Sequence, residues 1–249
     1  MKRVLAVTVL VAITALLLVG CKPLTYKDGT FEAYSIANDK GYVWARVTIA
    51  KDKITAVELK EYDAVGLEKD WDIYAYPQTK DAIAALKKAF VDKNSAKVDV
   101  VTGATSTSTK AMEAVAFALE KALAKPTATT KYFNGTFMAI SDTTERGWGI
   151  AWVTIENDKI TKVELHGTQP RRDAAGNVVK DAKGRTVFIR KVVEGADRYA
   201  HEPFHTARLK IAQDIVAKGS PQVDTVSGAT GSSKQWMQAV ERALQMARR

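Results

Sequence analysis

The chain has 249 residues, of which 46% are hydrophobic and 26% charged, so it has material for a packed core and is not a disordered protein. Its formal charge of +9 favours anionic partners, such as a membrane surface or a phosphate-bearing cofactor. The basic residues are scattered and no recognition motif accompanies them, so nucleic acid is not an expected partner.

The N-terminus has the pattern of a secretory signal. A basic start precedes an apolar run at residues 4–19, which is shorter than the roughly 20 residues of a transmembrane helix. The run ends in Leu-Val-Gly-Cys, whose Cys21 is the only cysteine and cannot form an internal disulfide. This segment resembles a bacterial lipobox, which implies removal of signal peptide 1–20 and lipidation of Cys21. We therefore expect an exported protein, lipid-anchored to a bacterial membrane and facing the periplasm or the cell exterior. The alternative is an uncleaved anchor helix or a coincidental cysteine.

After a tether at 21–25, the chain repeats itself. Two blocks recur 106 residues later in the same order, namely 26–31 with 132–137 and 41–59 with 147–165. A third motif recurs 125 residues later, so the second copy carries 19 extra residues. Matches in the same order indicate a duplicated unit. The mature chain is therefore divided into repeat 1 at 26–124, a linker at 125–131 and repeat 2 at 132–249.

Each repeat begins with three predicted strands. In repeat 1 these are residues 31–35, 42–50 and 54–62, which are separated by turn-forming residues. A helix after Pro77 has Ile83, Leu86 and Phe90 on one face, and a last helix has Met112, Val115, Leu119 and Leu123. The predicted fold class is α+β, with two tandem repeats that each pack a small antiparallel sheet against two helices.

Repeat 2 differs from repeat 1 in its middle. Its first helix follows Pro203, and the predicted apolar face consists of Leu209, Ala212, Ile215 and Val216. The extra residues form a basic insertion at about 166–198, in which two glycine turns predict an added surface β-hairpin. The insertion either docks a partner or is a tolerated elaboration of the surface.

The third shared motif is D-x-x-[ST]-G-A-T, which ends at Thr105 and again at Thr230. Its glycine permits a positive φ, and the threonine lies just before a predicted helix, whose free N–H groups bind phosphate well. Residues 106–109 and 231–233 are candidate N-caps. The motif is not a nucleotide-hydrolysing P-loop or a nucleophile elbow. By spacing alone it is a strand–turn–cap or a phosphate site.

Duplicated at equivalent places, the motif resembles the FMN-binding domain family. That family includes the flavinylated subunits C and G of the sodium-pumping NADH:quinone reductase and of the Rnf-type ferredoxin:NAD oxidoreductase. The resemblance implies that Thr105 and Thr230 each carry FMN through a phosphoester bond. It also implies a flavin transferase that forms this bond outside the cytoplasm, from FAD with magnesium.

The resemblance extends to the other motif residues, which are Asp99, Thr102, Gly103 and Ala104 in repeat 1 and Asp224, Ser227, Gly228 and Ala229 in repeat 2. The glycines and alanines would shape the turn. The two aspartates either serve transferase recognition or magnesium binding, or are ordinary turn carboxylates. Gly231 follows the second acceptor where repeat 1 has Ser106, which predicts a looser second turn.

The expected function is electron relay between a membrane reductase or quinone pool and an extracytoplasmic acceptor. Such a protein is an electron-transfer flavoprotein or a subunit of a reductase system, without catalytic side chains of its own. The alternative is a non-redox lipoprotein that binds flavin non-covalently or acts as an envelope docking module. A reductase acting directly on a small molecule lacks a convincing acid–base pair.

Several other residues attract attention without predicting chemistry. His201 and His205 belong to an H-E-x-x-H match, but Pro203 argues against a continuous zinc-binding helix, and no metal site is expected. The strand tryptophans Trp44, Trp148 and Trp152 are expected in the core rather than on a flavin. Tyr74 and Tyr199 match between the repeats and could pack on a flavin or in the core.

Overall fold

The computed structural model describes residues 24–76, 78–195 and 198–249. The predicted signal peptide and Cys21 therefore lie outside the described residues. Within the described ranges, no helix is both long and apolar enough to cross a membrane.

Repeat 1 is a three-stranded antiparallel sheet with two helices, in the order β1-β2-β3. Its elements are β1 (Gly29–Tyr34), β2 (Tyr42–Ala50), β3 (Lys53–Tyr62), α1 (Gln78–Lys93) and α2 (Thr105–Ala122). Alternate residues of β2 face the two sides of the sheet, as a strand requires. Val43, Ala45 and Val47 pack in a core with Leu86 and Phe90 of α1.

Repeat 2 has the same arrangement with one more strand, in the order β4-β5-β6-β7. Its elements are β4 (Gly135–Ile140), β5 (Gly149–Glu156), β6 (Lys159–Pro170), β7 (Phe188–Arg190), α3 (Glu202–Lys218) and α4 (Thr230–Met246). Strand register repeats as well, since a shift between Thr48 and Ile49 recurs between Thr154 and Ile155. The predicted α+β class with two tandem repeats is confirmed.

One predicted helix face is wrong in part. The side chain of Leu209 is 56% exposed, whereas Phe204, Ala207, Ile211 and Ile215 of α3 are buried. Because α3 begins at Glu202, the residues spaced at i, i+3 and i+7 from Phe204 meet the sheet, and Leu209 lies off that face. The face predicted for α1 is confirmed, since Ile83, Leu86 and Phe90 are all buried.

The two repeats share a third hydrophobic cluster. It contains Tyr42 and Val65 of repeat 1 and Met138, Trp148 and Trp152 of repeat 2. The Trp148 indole Nε1–H donates to the Val65 carbonyl oxygen at 2.8 Å, and the Ala37 N–H donates to the Thr136 carbonyl oxygen at 2.8 Å. The strand tryptophans are core residues as predicted, and two of them bury the contact between the repeats.

The insertion reuses a turn that repeat 1 also contains. Three segments read Asp-Ala-x-Gly, beginning at Asp63, Asp173 and Asp181. In each, the aspartate carboxylate accepts the N–H groups two and four residues later, and the glycine has a φ of 76° to 85°. Repeat 1 has one such turn where repeat 2 has two, so the insertion is an elongated form of an existing hairpin.

Candidate functional site

The two motif turns have nearly the same backbone. The φ angle is 79° at Gly103 and 76° at Gly228, a region that favours glycine. The following alanines agree too, with φ and ψ of −134° and 36° at Ala104 and −137° and 26° at Ala229. Gly231 lies inside α4 rather than in the turn. The expectation of a looser second turn is therefore wrong.

Each turn is held from inside by a buried serine. The Ser108 hydroxyl accepts the Val101 N–H at 3.1 Å and donates to the Ala104 carbonyl oxygen at 2.9 Å. Ser233 repeats both bonds with Val226 and Ala229, at 3.2 and 3.0 Å. The predicted caps are wrong, because each helix begins at the motif threonine and its N-cap alanine has no side-chain cap. The first-turn N–H groups are thus left for another acceptor.

The predicted acceptors lie on the outside of this turn. Thr105 and Thr230 are the first residues of α2 and α4 and are exposed, as are Thr102 and Ser227. A Cβ added at Gly103 would meet no atom within 4 Å, so the side of the first turn is open, whereas a Cβ at Gly228 would lie 3.1 Å from Pro203. Ala104 and Ala229 are buried beneath it. An exposed hydroxyl beside uncapped N–H groups at the positive end of a helix suits a phosphate ester.

The two aspartates of the motif are also exposed. The Asp99 carboxylate accepts a hydrogen bond from the Lys93 amine at 2.6 Å, and this bond lowers the pKa of Asp99. Within the described ranges, no group of three histidine, cysteine or acidic side chains is placed to hold a metal. Asp99 is an ion-pairing carboxylate at the start of the motif, and a contribution to magnesium binding stays a prediction for it and Asp224.

Comparison with known proteins agrees with this duplicated geometry. Residues 40–120 and 148–245, well over half of the chain, match the family described as FMN-binding domain. The chain belongs to the FMN-binding domain family. It contains two tandem copies, and its cofactor is FMN.

Individual relatives cover less of the chain. An uncharacterized protein of Treponema pallidum (strain Nichols) is 40% identical over 106 residues, which are 43% of this chain. The match spans only 25% of that relative's length. A solved structure, the CPE2226 protein from Clostridium perfringens, is 28% identical, with 39% of this chain and 88% of that chain covered and a TM-score of 0.34.

A buried charge network adjoins the motif of the first FMN-binding domain. The Glu61 carboxylate, 4% exposed, accepts hydrogen bonds from the Thr107 hydroxyl at 3.0 Å and the Lys69 amine at 2.7 Å. The same amine donates to the Tyr74 hydroxyl at 2.9 Å. Burial would lower the pKa of Lys69, but its bonds to Glu61 and Tyr74 outweigh burial and raise it. The network reaches the first turn of α2, two residues from Thr105.

The second domain keeps the lysine and the tyrosine but changes the acid. The backbone N–H of Lys191 donates to the Gly167 carbonyl oxygen at 2.8 Å. The backbone N–H of Lys69 likewise donates to the Glu61 carbonyl oxygen at 2.8 Å. Its amine stands 3.9 Å from the centroid of the Tyr199 ring, and the Lys69 amine stands 4.4 Å from that of Tyr74. Gly167 replaces Glu61, and a Cβ there would lie 3.1 Å from Phe204. Sequence reasoning missed Glu61, Lys69 and Lys191.

The two histidines of the H-E-x-x-H match lie in different positions and make different contacts. His201 precedes α3 as its N-cap residue, and its Nε2 lies 2.9 Å from the Gly228 carbonyl oxygen in the motif turn. His205 is within α3, with Nε2 2.6 Å from the Tyr199 carbonyl oxygen. The two histidines therefore do not share one face of a continuous helix, which a zinc site requires. His201 instead contacts the second FMN motif.

Proposed function

We propose that this flavoprotein is exported and lipid-anchored through Cys21, carries FMN covalently on Thr105 and Thr230, and relays electrons. Its partners are a membrane reductase or quinone pool on one side and an extracytoplasmic acceptor on the other. The observation that carries the proposal is the pair of matched turns, each presenting an exposed threonine hydroxyl at an uncapped helix start.

The protein's part in this function is to bind and orient the cofactor. Uncapped N–H groups at residues 105–107 and 230–232 can donate hydrogen bonds to the phosphate oxygens, and the positive helix end favours the negative charge of the phosphate. In flavinylation by a flavin transferase, the threonine oxygen bonds to the FMN phosphorus of FAD, AMP leaves, and the hydroxyl loses its proton. A phosphoester leaves the isoalloxazine ring free to exchange one or two electrons.

Mass spectrometry of the protein co-expressed with a flavin transferase tests the proposal. We expect two FMN adducts, one lost in each of Thr105→Val and Thr230→Val and both lost in the double variant. Thr109→Val is a matched control, because Thr109 is an exposed threonine of α2 outside the motif. A chain that stays unmodified would overturn covalent attachment. Flavin colour lost on denaturation and desalting would indicate the non-covalent binder.

Membrane attachment is tested separately. Cys21→Ser is expected to move the protein from the membrane fraction to the soluble fraction without changing either adduct, since the lipid and the flavins are attached at different residues. Retention of this variant in the membrane fraction would favour an uncleaved anchor helix over a lipid.

A further inference from the structure

A cleft of about 500 Å³ lies between the two domains. Repeat 1 lines it with Lys69, Ile73 and Tyr74, and the insertion of repeat 2 lines it with Arg185 and Phe188. Its walls combine aliphatic and aromatic surface with charged side chains of both signs, since Lys69 and Arg185 lie beside the carboxylates of Asp63, Glu68, Asp70 and Asp181. Pockets of this size bind small molecules, with few polar groups fixing their orientation.

The insertion is held against repeat 1 by ion pairs. The Lys183 amine is 2.8 Å from the Asp70 carboxylate and 3.1 Å from that of Asp72, and the Arg185 guanidinium is 2.9 Å from Asp70. Hydrogen bonding to Lys183 lowers the pKa of both aspartates. Such exposed pairs are individually weak and are screened by salt. They place the insertion over the loop that carries Tyr74.

The cleft is connected to the first FMN motif. Lys69 lines the cleft and bonds to Glu61, which in turn accepts the hydroxyl of Thr107 in the first turn of α2. Two hydrogen bonds of 2.7 and 3.0 Å therefore separate the cleft wall from the helix turn that begins at Thr105.

We propose that the insertion of repeat 2 forms the outer wall of the flavin site of repeat 1, so that Phe188 and Arg185 contact the flavin carried by Thr105. The inference rests on the proposed function. An aromatic ring and a guanidinium both stack on planar π-systems, which suits the isoalloxazine ring. Repeat 1 has only the short turn at Asp63 in place of the insertion, so the flavin on Thr230 receives no equivalent wall.

The test compares solvent access to each flavin. Thr230→Val leaves one flavin on Thr105, and Thr105→Val leaves one on Thr230; the quenching of flavin fluorescence by acrylamide, a neutral quencher, is measured in each. Adding Lys183→Ala and Arg185→Ala to the first protein is expected to raise its quenching constant toward that of free FMN. The same pair in the second protein is expected to change nothing. Arg172→Ala, on the insertion but away from Asp70, is the control.

A second variant removes the wall outright. Residues 169–189 are replaced by the five-residue turn 63–67. This turn fits because it connects Tyr62 and Glu68, which pair in repeat 1 as Thr168 and Arg190 pair in repeat 2. A quenching constant that rises in the hairpin replacement but not in the Lys183→Ala and Arg185→Ala protein also supports the inference, because the hairpin can stay in place without its ion pairs. Unchanged quenching in both variants, with the adduct mass intact, would overturn it. Absence of the adduct would instead refute the proposed function.

Discussion

The buried serine of each motif turn allows a sharp test of how the turn supports its threonine. Ser108→Ala removes the oxygen that accepts the Val101 N–H and leaves that partly buried donor without its partner. The Ala104 carbonyl oxygen keeps the Ser108 N–H at 2.9 Å, so the helix bond survives. The free energy of unfolding is expected to fall by about 1–2 kcal/mol, the usual cost of an unsatisfied donor that is not fully buried.

This change corresponds to a fall in melting temperature of about 2–8 °C for a chain of this size. Calorimetry measures the fall, and intact mass after flavinylation measures loading. In Ser108→Ala, the fraction of Thr105 that carries FMN is expected to fall while that of Thr230 is unchanged. In Ser233→Ala, the fraction at Thr230 is expected to fall while that at Thr105 is unchanged. Ser106→Ala is the control, because Ser106 is exposed. Equal loss at both threonines, or an unchanged melting temperature with full loading, would refute the role of the serine.

Two further predictions concern stability. Burial, with Arg190 and Arg208 nearby, lowers the pKa of His166 from 6.5 to about 4. The unfolded chain therefore binds a proton between pH 4 and 6.5 that the folded chain does not, so stability rises with pH across this window, by about 3 kcal/mol at most. Urea unfolding should lose this slope in His166→Gln, and a slope that persists would contradict the assignment. Trp148→Phe removes the indole donor to the buried Val65 carbonyl and should lower the free energy of unfolding by about 1–3 kcal/mol. Urea unfolding indistinguishable from that of the parent would show that this bond does not stabilise the contact between the repeats.

Much of the fold follows from local pattern. The predicted strand 42–50 has the bounds of β2, because β-branched and aromatic residues alternate there between two buried faces. The helix faces of α1 and α2 follow from the spacing of their apolar residues. The duplication extends these assignments from one repeat to the other, although Leu209 of the face predicted for α3 is exposed.

The surroundings of the motif did not follow from the sequence. Glu61 and Thr107 are 46 residues apart and meet only because the fold brings the end of β3 to the first turn of α2. Lys183 and Asp70 are 113 residues apart and belong to different repeats. The sequence predicts caps at 106–109 and 231–233, whereas the N-cap residues are Ala104 and Ala229, because each helix begins at the motif threonine itself. Contacts of this kind depend on tertiary packing, which periodicity does not encode.

The identity of the two turns constrains where any difference between the two flavins can arise. Backbone angles and serine bonds agree between the motifs, so the conformation of the turn does not distinguish Thr105 from Thr230. The charges around them do differ. Repeat 1 places the buried ion pair of Glu61 and Lys69 beside its motif, whereas repeat 2 has Gly167 in place of the acid and sets His201 against its turn. A buried charge acts far more strongly on a nearby redox group than an exposed one, because little water screens it. A difference in reduction potential between the two sites is therefore expected to come from groups outside the motif turn, which include these neighbours and the insertion that we place against the first flavin.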